Sequence, residues 1–289
     1  MSEEVFRDLT VEGARYTYRV LTQSHPSTEP VIVIGGALQG MLGWPHMEDL
    51  VNPIATLVTA DLPGMGSADP LPPGRGMALL CTSIDRIIDD LGVPKVNLFG
   101  FSYGAELAYG CAQRRPHRIA RLALGGVVNH ITAEQRARLQ LAAEHLDAGD
   151  IDDFVALATQ TQLCQDENRH VARRSLVHRY VSRSMRQAAT LDPHARRSLH
   201  RVLLTKPDYA GSLSGVPTLV FTGEHDTITS PERQRAFAAT IPGSRFLTIR
   251  DSDHWVVLER ARDVADLTAR FFTDHPLDTA DYITPGARR

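Results

Sequence analysis

Short, wholly apolar runs recur along this chain, each followed by a longer stretch with helical periodicity. Val31-Ile32-Val33-Ile34 shows no polar alternation before it stops at Gly35-Gly36, the pattern of a strand buried on both faces. Similar runs are Thr56–Ala60, Val96–Phe99, Leu122–Leu124, Thr218–Phe221 and Phe246–Ile249. Between them, segments such as Met77 to Leu91 place Leu80, Ile84, Ile87, Ile88 and Leu91 at three- and four-residue spacing, as one buried helix face requires. The alternation predicts βαβ units, hence an α/β fold with a mostly parallel, twisted sheet flanked by helices. Ahead of it, Val5–Leu9 and Tyr16–Leu21 form a predicted hairpin turning at Glu12-Gly13.

The alternation fails between about His130 and Thr205, where Ala133–Leu146 and Ile151–Ala158 are helix formers with few strand signals. The expected division is therefore a first part of the core over 1–129, a helical cap over 130–205, a second part of the core over 206–273 and a loose tail over 274–289. An extra helical layer is the alternative to a cap. The tail is inferred from Pro276, Pro285 and Gly286.

With 31 basic and 34 acidic side chains, the formal charge of −3 excludes a chain that is basic throughout or an acidic disordered one. Cys81, Cys111 and Cys164 are too few and too widely spaced for a disulfide framework or a C-x-x-C motif, so a reducing cytoplasm is expected. No metal or cofactor is implied. The acidic start lacks the basic and apolar regions of a signal peptide. The uncharged stretch Pro30 to Met47 is too short and too broken by Gly and Pro to insert stably in a membrane.

The strongest chemical signal is Gly100-Phe101-Ser102-Tyr103-Gly104, directly after the run Val96–Phe99 and opening the helical stretch Ala105–Gln113. In that strand–turn–helix context, G-x-S-x-G is a nucleophile elbow: a tight turn lifts Ser102 above the sheet, and Gly100 and Gly104 present no Cβ to the neighbouring strand and helix. A serine hydroxyl needs a base, and the base an orienting acid. Among twelve histidines, His254 follows the last strand and precedes the last helix; Asp226 follows the run Thr218–Phe221. Both are loop positions at the carboxyl ends of parallel strands, on the same edge as Ser102. Glu224 is the alternative acid. Capping and turn roles are the ordinary reading for an isolated Asp or His in such places. Backbone amides of Ala37, after the first parallel strand, and of Tyr103 are the candidate oxyanion donors. Asp61–Asp69 holds a G-x-G, but Asp69 stands at the third glycine position and Pro70 follows, which excludes a dinucleotide site.

Together these residues resemble the α/β-hydrolase family, from about Tyr16 to Phe272. In this chain Gly35-Gly36 replaces the usual His-Gly before the oxyanion loop, Met65 replaces the His of D-x-P-G-H-G, and Asp253 precedes His254 where Gly is common. A narrower resemblance is to the 3-hydroxyacyl transferases of rhamnolipid-precursor and polyhydroxyalkanoate synthesis. It is carried by Ile34–Leu38, Thr59–Pro63, Phe221–Asp226 with Arg235-Ala236-Phe237, and Ile249–His254. Those enzymes usually carry Asn-Gly at Gly35-Gly36 and Trp at Tyr103.

The segment Arg169 to Arg201 contains nine arginines and one acid, Asp192, a local charge of +8 that leaves −11 for the rest. A helical projection places Arg169, Arg173, Arg179, Arg183 and Arg186 on one face and Val177, Val181 and Met185 on the other. Such a strip suits an anionic donor, an acyl carrier protein or coenzyme A thioester; a solvated face is the alternative. Nucleic-acid binding is not expected, because the rest of the chain is acidic and no aromatic stacking pattern accompanies the arginines. Leu38, Met41, Trp44 and Trp255 are candidates for an acyl pocket or for ordinary core.

The sequence thus points to serine acyl transfer through an acyl-Ser102, from an ester or acyl thioester. It leans to a 3-hydroxyacyl acyltransferase or thioesterase, with a small-molecule carboxylesterase or lactonase as alternative. A binding protein on the same fold, and proton-transfer chemistry at His254 without a covalent intermediate, are the competing classes.

Overall fold

A computed structural model describes residues 3–36, 39–72, 74–191 and 213–284. Eight strands form one sheet: β1 (Glu4–Val11), β2 (Ala14–Leu21), β3 (Val31–Ile34), β4 (Leu57–Asp61), β5 (Val96–Phe101), β6 (Ile119–Gly125), β7 (Thr218–Gly223) and β8 (Arg245–Ile249). Their order is β1-β2-β4-β3-β5-β6-β7-β8. Pairing is antiparallel for β1–β2 and β2–β4 and parallel from β4 to β8. The hairpin turns at Glu12 (φ 45°) and Gly13 (φ 85°), the two positive φ values that match the strand twist.

Described helices are α1 (Pro45–Leu50), α2 (Met77–Asp90), α3 (Tyr103–Arg114), α4 (Ala133–Ala148), α5 (Ile151–Gln162), α6 (Arg174–Leu191), α7 (Pro231–Ala239), α8 (Val256–Glu259) and α9 (Ala261–Phe272). Alternate strand residues feed two cores. Ile32, Ile34, Leu98, Leu122 and Val220 pack against α2, α3 and α7 on one face. Val31, Val33, Phe99, Leu219 and Phe221 pack against α1, α8 and α9 on the other. Helices α4–α6 are inserted between β6 and β7, and Leu146, Phe154, Val177, Val181 and Met185 join that second core.

Two expectations change. The segment 274–284 is not loose: Leu277, Tyr282 and Ile283 are buried. Arg250 donates its amide to the Tyr282 carbonyl (2.8 Å), and Thr284 donates to that of Thr248 (3.0 Å). Together with the Ile249–Ile283 bridge, this covers the β8 edge, which otherwise exposes unpaired backbone. The arginine strip is also not one helical face. Val177, Val181 and Met185 are buried as projected, but α6 begins at Arg174, so Arg169 and Arg173 precede it. The reason is local. Arg174 turns its guanidinium back onto the carbonyls of Cys164 (2.8 Å), Asp166 (3.0 Å) and Arg169 (2.5 Å). That closes a loop, and Arg173 exits it with a positive φ of 55°.

The strand order reverses around β3 and β5, β4 lying beyond one and β6 beyond the other. A crevice at the carboxyl ends of the strands opens at such a switch point.

Candidate active site

Ser102 sits in that crevice, between β5 and α3. Its φ and ψ are 52° and −119°, a left-handed value that a non-glycine residue adopts only when its surroundings impose it. Here two close approaches do so. A Cβ on Gly104 would lie 2.3 Å from the Ile34 carbonyl oxygen, and one on Gly100 would lie 2.4 Å from that of Gly104. Only glycine lets helix, elbow and β3 meet. The Ser102 amide donates to the Gly125 carbonyl at 2.8 Å, tying the elbow to the end of β6.

Ser102 Oγ lies 3.0 Å from His254 Nε2, and His254 Nδ1 lies 3.0 Å from Asp226 Oδ2. His254 and Asp226 are buried; Ser102 is partly open. Residues 152 and 28 positions apart thus form one hydrogen-bonded line. Asp226 has a full set of donors: Oδ1 accepts from the amides of Ile228 (2.8 Å) and Thr229 (2.7 Å). Oδ2 also accepts from the hydroxyls of Thr222 (2.7 Å) and Thr229 (2.6 Å). Burial pushes the Asp226 carboxyl up. The charge of His254 and these hydrogen bonds outweigh it and hold Asp226 below the ordinary carboxylate value. Burial depresses the His254 imidazole, yet attraction to Asp226, its hydrogen bond and the charge of Asp253 lift it above the ordinary value. Phe101 packs against the imidazole with ring centroids 5.5 Å apart. Glu224, the alternative acid, is turned elsewhere and accepts from the Asp251 amide at 3.1 Å.

Tyr103 is the first residue of α3, at the helix end whose N–H groups favour negative charge. Ala37 and Leu38 lie outside the described residues. The chain either side of them is braced: Gly36 donates its amide to Gln39 Oε1 (3.1 Å), and Met41 donates to Asp61 Oδ1 (2.8 Å). Met41 is half-buried. Trp44 is buried edge-on to Phe99 (5.8 Å), and with Leu176, Tyr180 and Arg173 it lines a pocket of ≈170 Å³. Trp255 is buried beside His254, packs against Tyr180 (6.1 Å) of α6 and donates Nε1 to Gln162 Oε1 (3.2 Å).

Of the five arginines, Arg179, Arg183 and Arg186 share α6, and Arg169 and Arg173 precede it. Arg186 pairs with Asp152 (2.5 Å) and Arg169 with Asp166 (3.2 Å). Arg179 and Arg183 are exposed on α6. Arg169 also lines a cleft of ≈450 Å³ with Arg138, Arg233 and Thr227. Among the described residues no group of three or more His, Cys, Asp or Glu is arranged to hold a metal. No described helix is long and apolar enough to cross a membrane.

Sequence reasoning missed Thr222, Thr229, Phe101 and Asp253 as neighbours of the line. A threonine three residues after a loop aspartate, as in Asp226-Thr227-Ile228-Thr229, was the available signal for one of them.

Comparison with known proteins agrees with this architecture. The chain is 25% identical over 261 residues to an (R)-3-hydroxydecanoyl-ACP:CoA transacylase of Pseudomonas aeruginosa, covering 84% of this chain and 81% of that one. It is 22% identical to a 2-hydroxy-6-oxononadienedioate/2-hydroxy-6-oxononatrienedioate hydrolase of Klebsiella pneumoniae, over 92% and 94% of the two chains. The solved structure of an enol-lactonase from Burkholderia xenovorans superposes with a TM-score of 0.76 at 19% identity, over 92% of this chain and 100% of that one. A sequence profile of the alpha/beta hydrolase fold matches residues 29–261, and on that match the chain belongs to the α/β-hydrolase fold family.

Proposed function

We propose that this protein is a serine acyl-transfer enzyme that opens an ester or thioester through an acyl-Ser102 intermediate. The observation that carries the reading is the line Ser102 Oγ–His254 Nε2–His254 Nδ1–Asp226 Oδ2, 3.0 Å at each hydrogen bond, on a strained elbow. His254 takes the Ser102 proton as Oγ attacks the carbonyl carbon, and Asp226 stabilises the imidazolium. The amides of Tyr103 and Ala37 receive the developing oxyanion. Collapse expels the alcohol or thiol, which takes the proton from His254. Attack on the acyl group by water completes hydrolysis; attack by a hydroxyl or thiol completes transfer.

The donor proposed is a 3-hydroxyacyl thioester of an acyl carrier protein or coenzyme A. The similarity to the transacylase supports it, as do Arg173, Arg179 and Arg183, exposed on or just before α6. Helices α4–α6 act as the cap. The pocket lined by Trp44, Leu176, Tyr180 and Arg173 is proposed for the acyl chain. Hydrolysis of a small ester or lactone is the second reading; the likeness to the dienedioate hydrolase favours hydrolysis over transfer and says nothing of an ester.

Intact-mass analysis after exposure to 3-hydroxyacyl and simple acyl thioesters tests this reading. Acylation at Ser102 that persists until a hydroxyl or thiol acceptor arrives is the result for transfer; rapid loss to water is the result for hydrolysis. A protein in which a fluorophosphonate leaves Ser102 unlabelled, or in which Ser102→Ala turns over normally, is not a serine acyl-transfer enzyme. Replacing Arg179 and Arg183 with Glu should weaken carrier-protein thioesters far more than p-nitrophenyl esters; equal effects remove the docking role.

A further inference from the structure

His254 is joined to the helical insertion by its own neighbour. Asp253 is buried on the loop between β8 and α8, and each carboxylate oxygen takes a backbone N–H. Oδ1 accepts from the amide of His254 (2.6 Å). Oδ2 accepts from the amide of Cys164, 89 residues earlier, in the loop that follows α5. The Asp253 amide in turn donates to Glu259 Oε2 at 2.6 Å. The Cys164 end is itself held, since its carbonyl accepts from the Arg174 guanidinium that closes this loop (2.8 Å). Other bonds run alongside, Ala172 amide to Asp251 carbonyl (2.8 Å) and Trp255 Nε1 to Gln162. Among the described residues, the Asp253 side chain is the one bonded both to the insertion and to the His254 peptide group.

The two N–H donors reach different oxygens of Asp253, an arrangement that a carboxylate satisfies and a carboxamide, with one oxygen and one NH2 group, does not. An ordinary loop has no need of such a residue, and burying a carboxylate costs free energy unless its bonds repay it. We propose that Asp253 is a positioning residue whose carboxylate fixes the backbone of His254 against the insertion, so that the base and the helices beside it keep one register. The inference rests on the reading of Ser102, His254 and Asp226 as acyl-transfer machinery.

The ionisable groups facing Asp253 are Glu259 on α8, Asp226 on the loop after β7 and His254 itself; Arg174 on α6 acts on Glu259. Burial pushes Asp253 up to about 6 against the pull of the Cys164 amide. Its charge is one of those that lift His254.

The test compares full-length wild type, Asp253→Asn and Cys164→Pro, each first shown to be folded by circular dichroism. Leu163 is already extended (φ −126°, ψ 146°), as a residue before proline must be, so the second variant removes the insertion's N–H and keeps the Asp253 carboxyl beside His254. Two readouts are taken: the rate of Ser102 labelling by a fluorophosphonate across pH, and amide hydrogen exchange of 160–175. In both variants labelling should slow about ten- to a hundredfold and exchange of 160–175 should accelerate. The acid limb of the labelling rate should move to lower pH in Asp253→Asn, where a charge that raises His254 is gone. In Cys164→Pro the carboxyl remains but loses an N–H that favours its charged form, so the limb should move in the same direction by less. Wild-type labelling rates in either folded variant, slowed labelling with unchanged exchange, or an unmoved limb in Asp253→Asn overturns the positioning role alone. A wild type that is not labelled at Ser102 overturns the underlying reading with it.

Discussion

Replacing Asp226 by Asn separates the chemistry of the site from its shape. In the Asn side chain Oδ1 keeps the amides of Ile228 and Thr229 (2.8 and 2.7 Å), and an NH2 group takes the place of Oδ2, which now accepts from three donors. Two of those donors adapt. The Thr222 and Thr229 hydroxyls rotate to accept, and Thr222 has the Thr229 carbonyl at 3.3 Å as another acceptor. His254 Nδ1 adapts only by giving up its proton, which moves to Nε2, 3.0 Å from Ser102 Oγ. The imidazole then donates towards Ser102 Oγ and cannot serve as the base that the proposed mechanism requires. Losing the base in this way costs on the order of 10⁴ in rate, or about 5.5 kcal/mol of transition-state stabilisation at 1.36 kcal/mol per decade. The assay is the second-order rate of fluorophosphonate labelling at Ser102, with thermal unfolding as the check on folding. Glu224→Gln is the control: that carboxylate serves the Asp251 amide, so labelling should stay within about threefold, since the change leaves the catalytic line untouched. Labelling of Asp226→Asn within tenfold of wild type, or an equal loss in Glu224→Gln, would refute the argument.

Gly104→Ala drives a Cβ to 2.3 Å from the Ile34 carbonyl oxygen; overpacking backbone against backbone should cost about 1–3 kcal/mol in denaturant unfolding and abolish labelling. In the proposed mechanism His254 acts as a neutral base, and it is held above the ordinary imidazole value, chiefly by Asp226 against the opposing effect of burial, so the acid limb of the labelling rate should fall on the alkaline side of a free imidazole. Raising ionic strength should barely move it, the pair being buried. Burial alone raises Glu106 to about 8. The carboxyl is therefore neutral in the folded state at pH 7 while the unfolded chain is ionised, so its contribution is full below 4.5, falls as pH rises above that value and is gone above about 8. Glu106→Gln should gain on the order of 5 kcal/mol at pH 9 relative to wild type and little at pH 5, measured by urea unfolding. Leu277→Ala empties a site that is 1% exposed and should cost roughly 2–5 kcal/mol; a cost near zero would restore the loose-tail expectation.

What was readable along the chain, and what was not, follows the range of the forces involved. Val31–Ile34 reads as a strand because both its faces are apolar, and Gly100 and Gly104 read as an elbow because no side chain fits there. Strand ends were read short, as at Gly100-Phe101 and Thr222-Gly223, because pairing with β6 and β8 extends them and no local residue announces it. The arginine projection assumed one continuous helix from Arg169. The break at Arg173 depends on where the Arg174 guanidinium finds carbonyls, a contact that periodicity does not contain. Pro276 and Pro285 marked a tail without helix or strand, but not that Leu277 and Ile283 cover the β8 edge.

The choice of acid makes the same division within the site. Asp226 and Glu224 stand two residues apart after one strand and are chemically alike, and both lie between Ser102 and His254 along the chain. Composition, periodicity and motif narrowed the chain to an α/β fold with a serine elbow, because those signals come from burial and sterics acting within a few residues. The threonines that hold Asp226 lie three and four residues from it, but the bonds of Asp226 to His254 and of Asp253 to the Cys164 amide join residues far apart along the chain. Their hydrogen bonds form only once the parallel sheet has brought the ends of β5, β7 and β8 to one edge, and a pattern read along the chain carries no record of that approach.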